Sequence, residues 1–124
     1  MQISLDSNEG VYRILGYANG KIQINDQYYG QSLLVMPDTL VEDWGPGQPD
    51  HLTDQHLQAV RALEPEVVLL GTGARQVFPA RELMRGLITA GVGLEIMDTA
   101  SACRTYNILM GEGRRVVAAL IIED

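Results

Sequence analysis

The residues able to do chemistry fall in a few places along the 124-residue chain. Cys103 is the only cysteine, and its thiolate, with His51 or His56 as base, would make a nucleophile. Its neighbours point elsewhere. Ala102, Cys103, Tyr106, Leu109 and Met110 recur at helical spacing as an apolar stripe, which sets the thiol against a core, where its pKa rises and it is inert. His51 and His56 lie five apart on either side of an expected helix start, a poor spacing for zinc, and one cysteine cannot complete a site. No metal, cofactor or catalytic residue is therefore expected. Glu42-Asp43-Trp44 puts carboxylates beside an aromatic ring, where burial would raise a pKa; a solvated acidic loop is the simpler reading. Trp44 is expected either as an interface residue, since exposed tryptophan is enriched at binding hot spots, or as a cover for the sheet from inside its loop.

The turn Gly71-Thr72-Gly73 leaves an apolar run and precedes a helical one. In α/β sheets ligands bind at such turns, because helix N-termini offer unpaired N–H groups and glycines let a ligand reach the backbone. The dinucleotide fingerprint would need glycine at Gln76, and no Gly-Lys-Ser/Thr follows for a phosphate loop. Two readings stand: a ligand edge, or two glycines serving a tight turn and close helix–strand packing. If the strands ending near Leu70 and Met97 are parallel, Thr99 lies beside Gly71 and Gly73, with Arg75, Arg104 and Asn107 able to join them around a small anion. The plainer alternative has Thr99 as a helix N-cap, Asn107 bonded to backbone and both arginines in solvent.

These residues need elements to hold them. Val11–Tyr17 and Lys21–Asn25 alternate apolar and polar residues around Asn19-Gly20, which predicts an N-terminal β-hairpin. Ser32–Met36 reads as a third strand stopped by Pro37, and the segment from Pro37 to Gln48 as a loop punctuated by Trp44-Gly45-Pro46-Gly47. Thr53 caps a helix to about Leu63, which must end before Pro65. Val67–Leu70 is a buried strand. From Pro79 a helix carries Leu83, Met84, Leu87 and Ile88 on one stripe, and Gly91 closes it. Leu94–Met97 is a strand, Thr99 is the N-cap of a helix to about Met110, and Val116–Ile122 is a last, unbroken apolar strand of the kind covered on both faces. The order β–α–β–α–β predicts one layered α/β domain over residues 1–124, with helices packed on the sheet.

Composition narrows the function classes. Hydrophobic residues are 46% and charged residues 20%, an ordinary globular balance. The formal charge of −7 is concentrated in residues 1–54, where eight acids, Asp6 and Glu9 among them, meet only Arg13 and Lys21. Seven arginines in the rest read as solvated helix faces or a local anion site. An acidic chain with one lysine repels phosphate backbones, so no nucleic-acid partner is expected. The start, Met-Gln-Ile-Ser-Leu-Asp, lacks the marks of a signal peptide, and no apolar run reaches the ~18 residues that span a bilayer. With a single cysteine, a cytoplasmic protein that does not insert in membranes, as monomer or homodimer, is the expectation.

The order of motifs is more specific than any one of them. Trp44 in an acidic loop precedes Glu66-Val67-Val68-Leu69-Leu70-Gly71-Thr72-Gly73. Then come Gly93-Leu94-Glu95-Ile96-Met97-Asp98-Thr99, Ala102, Thr105-Tyr106-Asn107-Ile108-Leu109 and Gly113-Arg114-Arg115-Val116-Val117-Ala118-Ala119-Leu120. This pattern, from about Tyr29 to Ile122, resembles the small family of unknown function that includes mitochondrial complex I assembly factor 3 and an adipogenesis-associated relative. The resemblance, to the short prokaryotic members lacking a targeting extension, implies a three-layer α/β fold with a central mixed sheet and no established catalytic activity. For the mitochondrial members it implies assembly of a respiratory complex through protein contacts. Two functions follow: a non-catalytic interaction or assembly module with a protein partner, which predicts an exposed apolar patch around Trp44 and the first hairpin, or a small-molecule binder or enzyme for anionic ligands at the Gly71–Gly73 and Asp98-Thr99 edge, which predicts a pocket there.

Overall fold

The computed structural model describes residues 11–123; the start of the sequence, with Asp6 and Glu9, lies outside them. Among the described residues eight strands form two sheets, accompanied by three α-helices. β1 (Ile14–Ala18), β2 (Lys21–Ile24) and β3 (Gln27–Tyr29) form a small antiparallel sheet in that order. The central sheet is mixed. It takes β4 (Leu33–Met36), β5 (Thr39–Val41), β6 (Val67–Gly71), β7 (Gly93–Met97) and β8 (Val116–Leu120) in the order β5-β4-β8-β6-β7. β6 runs parallel to both β7 and β8, while β4 is antiparallel to β8 and β5. The helices are α1 (Asp54–Arg61), α2 (Arg81–Thr89) and α3 (Thr99–Gly111).

The unbroken apolar runs are explained by a sheet covered on both sides. Successive side chains of a strand point to opposite faces, and each run is divided accordingly. Leu33, Val35, Leu69, Ala118 and Leu120 enter one core with Tyr106 of α3 and with Ile22 and Ile24 of the small sheet. Leu34, Val68, Leu70, Val117 and Ala119 enter the other with Leu57 and Val60 of α1 and Met84 and Leu87 of α2. Three layers result, as expected.

Local chemistry sets the ends of the elements. Asn19 and Gly20 take φ of 56° and 73°, the left-handed pair that turns a tight hairpin with the right twist. Thr53 caps α1, and His56 returns the favour: its Nδ1 accepts the Thr53 N–H at 2.9 Å. Arg115 donates to the Leu63 and Glu64 carbonyls just beyond α1 at 2.8 Å each, and Arg114 pairs with Glu66 at 2.8 Å, so these arginines tie elements together rather than only coat a surface.

Several expectations need correction. The loop expected after Pro37 contains β5, which folds back on β4 through Met36↔Thr39 and Leu34↔Val41; three residues are too few for a periodic signal. The predicted hairpin gains a third strand, β3, for the same reason. The cap of α3 is Asp98, whose carboxylate accepts the Ser101 N–H at 2.8 Å; that bond holds its pKa below the usual carboxylate value. Thr99 is the first helical residue, and its hydroxyl has other work.

Candidate functional site: a filled turn and an open groove

The parallel pairing of β6 and β7 does bring Thr99 to Gly71 and Gly73, but the space between them is packed. A Cβ on Gly71 would meet Thr99 Cα at 2.9 Å and Oγ1 at 3.0 Å. Gly73 has φ of +100° and a Cβ there would collide with the Glu123 carboxylate. The polar groups are consumed as well. The Gly73 N–H donates to Thr99 Oγ1 at 2.8 Å, and that hydroxyl donates to the Ile121 carbonyl at 2.7 Å. The Ala74 N–H donates to Glu123 at 2.8 Å. Thr72 donates to the Arg75 carbonyl at 2.6 Å and accepts the Val77 N–H at 3.0 Å. Both threonines are buried. The expected ligand edge at Gly71, Thr72, Gly73 and Thr99 is thus a sealed junction, because the donors an anion needs already have protein acceptors.

The other predicted residues do not repair it. Arg75 is exposed, and Arg104 is exposed with its guanidinium on Ser101 Oγ at 3.1 Å. Asn107 accepts the Ile14 N–H at 3.0 Å and donates to the Ile14 carbonyl, pairing with β1 as a neighbouring strand residue would. A depression of ≈ 300 Å³ beside it includes Tyr17, Cys103 and Arg104 in its lining, but neither Gly71 nor Gly73. Cys103 is buried, and desolvation, the largest influence, pushes its thiol up to about 12, so it stays protonated and unreactive near neutral pH. Burial also raises Tyr106, whose hydroxyl donates to the Tyr12 carbonyl at 2.7 Å. Among the described residues no group of three or more His, Cys, Asp or Glu could hold a metal ion.

Trp44 is 8% exposed and lies in the α1–α2 core. Its indole N–H donates to the His56 carbonyl at 2.9 Å, and the His56 ring meets it edge-on at 5.8 Å. Of the two readings offered for Trp44, it covers the sheet from inside the loop; an exposed hot spot at this residue is corrected. Glu42 and Asp43 are exposed.

An open concavity lies one strand over. A groove of ≈ 850 Å³ runs between β7 and the segment entering α2, with Phe78, Pro79, Met84, Ile88, Leu94 and Ile96 among its walls. Phe78 is 69% exposed and Ile88 59%, unusual for large apolar side chains brought together in one concavity. Ile88 shares a stripe with core residues in the sequence, yet in the last turn of α2 it stays exposed. Phe78 has no periodic partner, and its only signal is a phenylalanine in a proline-flanked connection. Among the described residues β7 is an edge strand. Gln76, whose identity excluded a dinucleotide loop, donates its side-chain amide to the Ile96 carbonyl at 2.8 Å.

Comparison with known proteins accords with this architecture. Residues 14–121 match the family described as a protein of unknown function (DUF498/DUF598), and the chain belongs to that family. A crystal structure of a protein from Bordetella parapertussis is 41% identical and superposes with a TM-score of 0.86, covering 92% of this chain and 98% of that one. A curated relative from Francisella tularensis, named 13 kDa major membrane protein, is 30% identical over 85% of this chain and 86% of its own length. NADH dehydrogenase [ubiquinone] 1 alpha subcomplex assembly factor 3 of Rattus norvegicus is 34% identical over 97% of this chain, which spans 66% of that relative. No helix among the described residues is long and apolar enough to cross a membrane.

Proposed function

We propose that this member of the DUF498/DUF598 family is a non-catalytic interaction or assembly module that docks a partner protein in the groove beside β7. The observation that carries the reading is the pair of exposed apolar side chains, Phe78 at 69% and Ile88 at 59%, in a single groove at a sheet edge. Burying a large apolar side chain yields about 1.5–3 kcal/mol, so two such anchors supply the centre of a hot spot. The similarity to an assembly factor supports the class of function, not a particular complex. A cytoplasmic location belongs to the same reading, supported by the buried free thiol of Cys103. The similarity to a relative named as a membrane protein makes fractionation of cells into membrane and supernatant the check on it.

The test is cross-linking capture from cells of the source organism with wild-type protein and with a Phe78→Ser, Ile88→Ser variant. Partners recovered by wild type should be lost from the variant, whose fold is monitored by circular dichroism. Equal recovery removes the groove from the reading. In parallel, millimolar phosphate and citrate should leave the melting temperature where an ionic-strength control leaves it. A specific rise would return the function to an anion site, since a ligand at 100 times its Kd adds about 2.7 kcal/mol.

A further inference from the structure

The ladder between β6 and β7 fixes which backbone groups face outward. The Gly93 N–H donates to the Glu66 carbonyl at 3.1 Å, and the Thr72 N–H donates to the Met97 carbonyl at 2.9 Å. In a parallel pair alternate residues direct both N–H and C=O to the same neighbour. Gly93, Glu95 and Met97 therefore serve β6, and Leu94 and Ile96 turn their N–H and C=O to the outside of the sheet, where no strand follows among the described residues. Those outward groups border the apolar groove. The amide of Gln76 already sits on the Ile96 carbonyl, in the place an added strand's N–H would take.

Side-chain alternation sets what such a strand must carry. Leu94 and Ile96 belong to the core on the α2 side, while Met97 belongs to the opposite one. Residues set against Leu94 and Ile96 thus fall on the same side as Phe78 and Ile88 and should be apolar. The residue between them is set against Glu95, which is exposed at the middle of β7. A second copy of this edge, paired antiparallel so that Leu94 meets Ile96, would place Glu95 against Glu95, a destabilising like-charge pair, within a chain of net charge −7. A basic residue meets the same position favourably.

We propose that the partner docks by strand addition to β7, as an extended segment with apolar, basic, apolar residues set against Leu94, Glu95 and Ile96. This rests on the groove being the docking site and adds the mode and the chemistry of the partner. Main-chain hydrogen bonds hold the segment and the alternate side chains select it.

The probe is a fluorescein-labelled nine-residue peptide with a central lysine flanked by valines and threonine elsewhere, read by fluorescence anisotropy and amide exchange. Wild-type protein should bind it saturably, and exchange of the Leu94 and Ile96 amides should slow. Replacing the peptide's lysine with glutamate should weaken binding about five- to tenfold, and the Glu95→Lys protein should reverse that preference. N-methylation of both peptide amides facing Leu94 and Ile96 should weaken binding more than tenfold. No binding of the lysine peptide, equal binding of the methylated one, unchanged Leu94 and Ile96 exchange, or a wild-type dimer broken by Glu95→Lys would each overturn strand addition. If partner capture still depends on Phe78 and Ile88 in any of those cases, the groove stands as a docking site and only the mode fails. If capture is indifferent to both residues, the groove itself fails.

Discussion

The turn after β6 and the outer edge of β7 are neighbours in one sheet, yet they treat their backbone groups in opposite ways. At the turn, Gly73 and Ala74 give their N–H groups to Thr99 and Glu123, and the missing side chain of Gly71 is filled by Thr99 itself. At the edge of β7, Leu94 and Ile96 turn outward toward a groove walled by exposed apolar side chains, with one glutamine amide covering one carbonyl. The first arrangement is how a fold closes a junction. The second is what a fold ordinarily avoids, since an open edge invites pairing. β1 shows the avoidance, for there Asn107 occupies both groups of Ile14. The contrast between an edge sealed by an asparagine and one left beside an apolar groove is what the proposed docking rests on.

That contrast is breakable by substitution. The largest effect should come from Gly71→Val. Its Cβ has 2.9 Å to the Thr99 main chain, far less than a carbon needs, and overpacking of this kind costs about 3 kcal/mol or more. Chemical denaturation should show a large loss or no folded protein. Thr99→Val keeps the volume and removes the hydroxyl, leaving the Gly73 N–H and the Ile121 carbonyl unpaired in the interior, for a loss of about 2 kcal/mol by the same assay. If either substitution were neutral, the turn would not be the sealed junction described.

The next effect is pH-dependent. His56 has its pKa lowered by burial, and its Nδ1 must be unprotonated to accept the Thr53 N–H. A depressed histidine contributes stability that is complete above its unfolded value of 6.5 and is lost as pH falls through the lower folded value. Denaturation midpoints should therefore decline from pH 7 toward pH 5. His56→Ala should flatten that part of the profile. The smallest effect on stability should be at the groove: Phe78→Ser should stay within about 0.5 kcal/mol of wild type while partner recovery falls. A large destabilisation by Phe78→Ser would mean that the groove is a piece of core.

Much of this architecture was legible beforehand. Long runs such as Val116–Ile122, the capped start at Thr53 and the Asn19-Gly20 turn are local signals, and local signals survive in a sequence because they act over a few residues. The short strands β3 and β5 were not legible, because three residues carry no period and their pairing comes from neighbours. Of the candidate site, only a juxtaposition was legible. The proximity of Thr99 to Gly71 and Gly73 follows from parallel strands, but proximity is silent on whether the gap is empty. Phe78 was not legible as a groove residue, because exposure is not a property of a residue type.

The sequence by itself determined the alternation of strands and helices, the three-layer arrangement, the family, and the burial of Cys103, whose apolar helical stripe faces a core. Only the tertiary structure decided that Trp44 lies inside, that Thr99 closes the turn instead of capping its helix, and that β7 ends the sheet beside an open groove. Those outcomes depend on what arrives from distant parts of the chain, Glu123 and Ile121 at the turn and His56 at Trp44. Whether a space is filled is settled by those long-range contacts, which a local pattern does not encode.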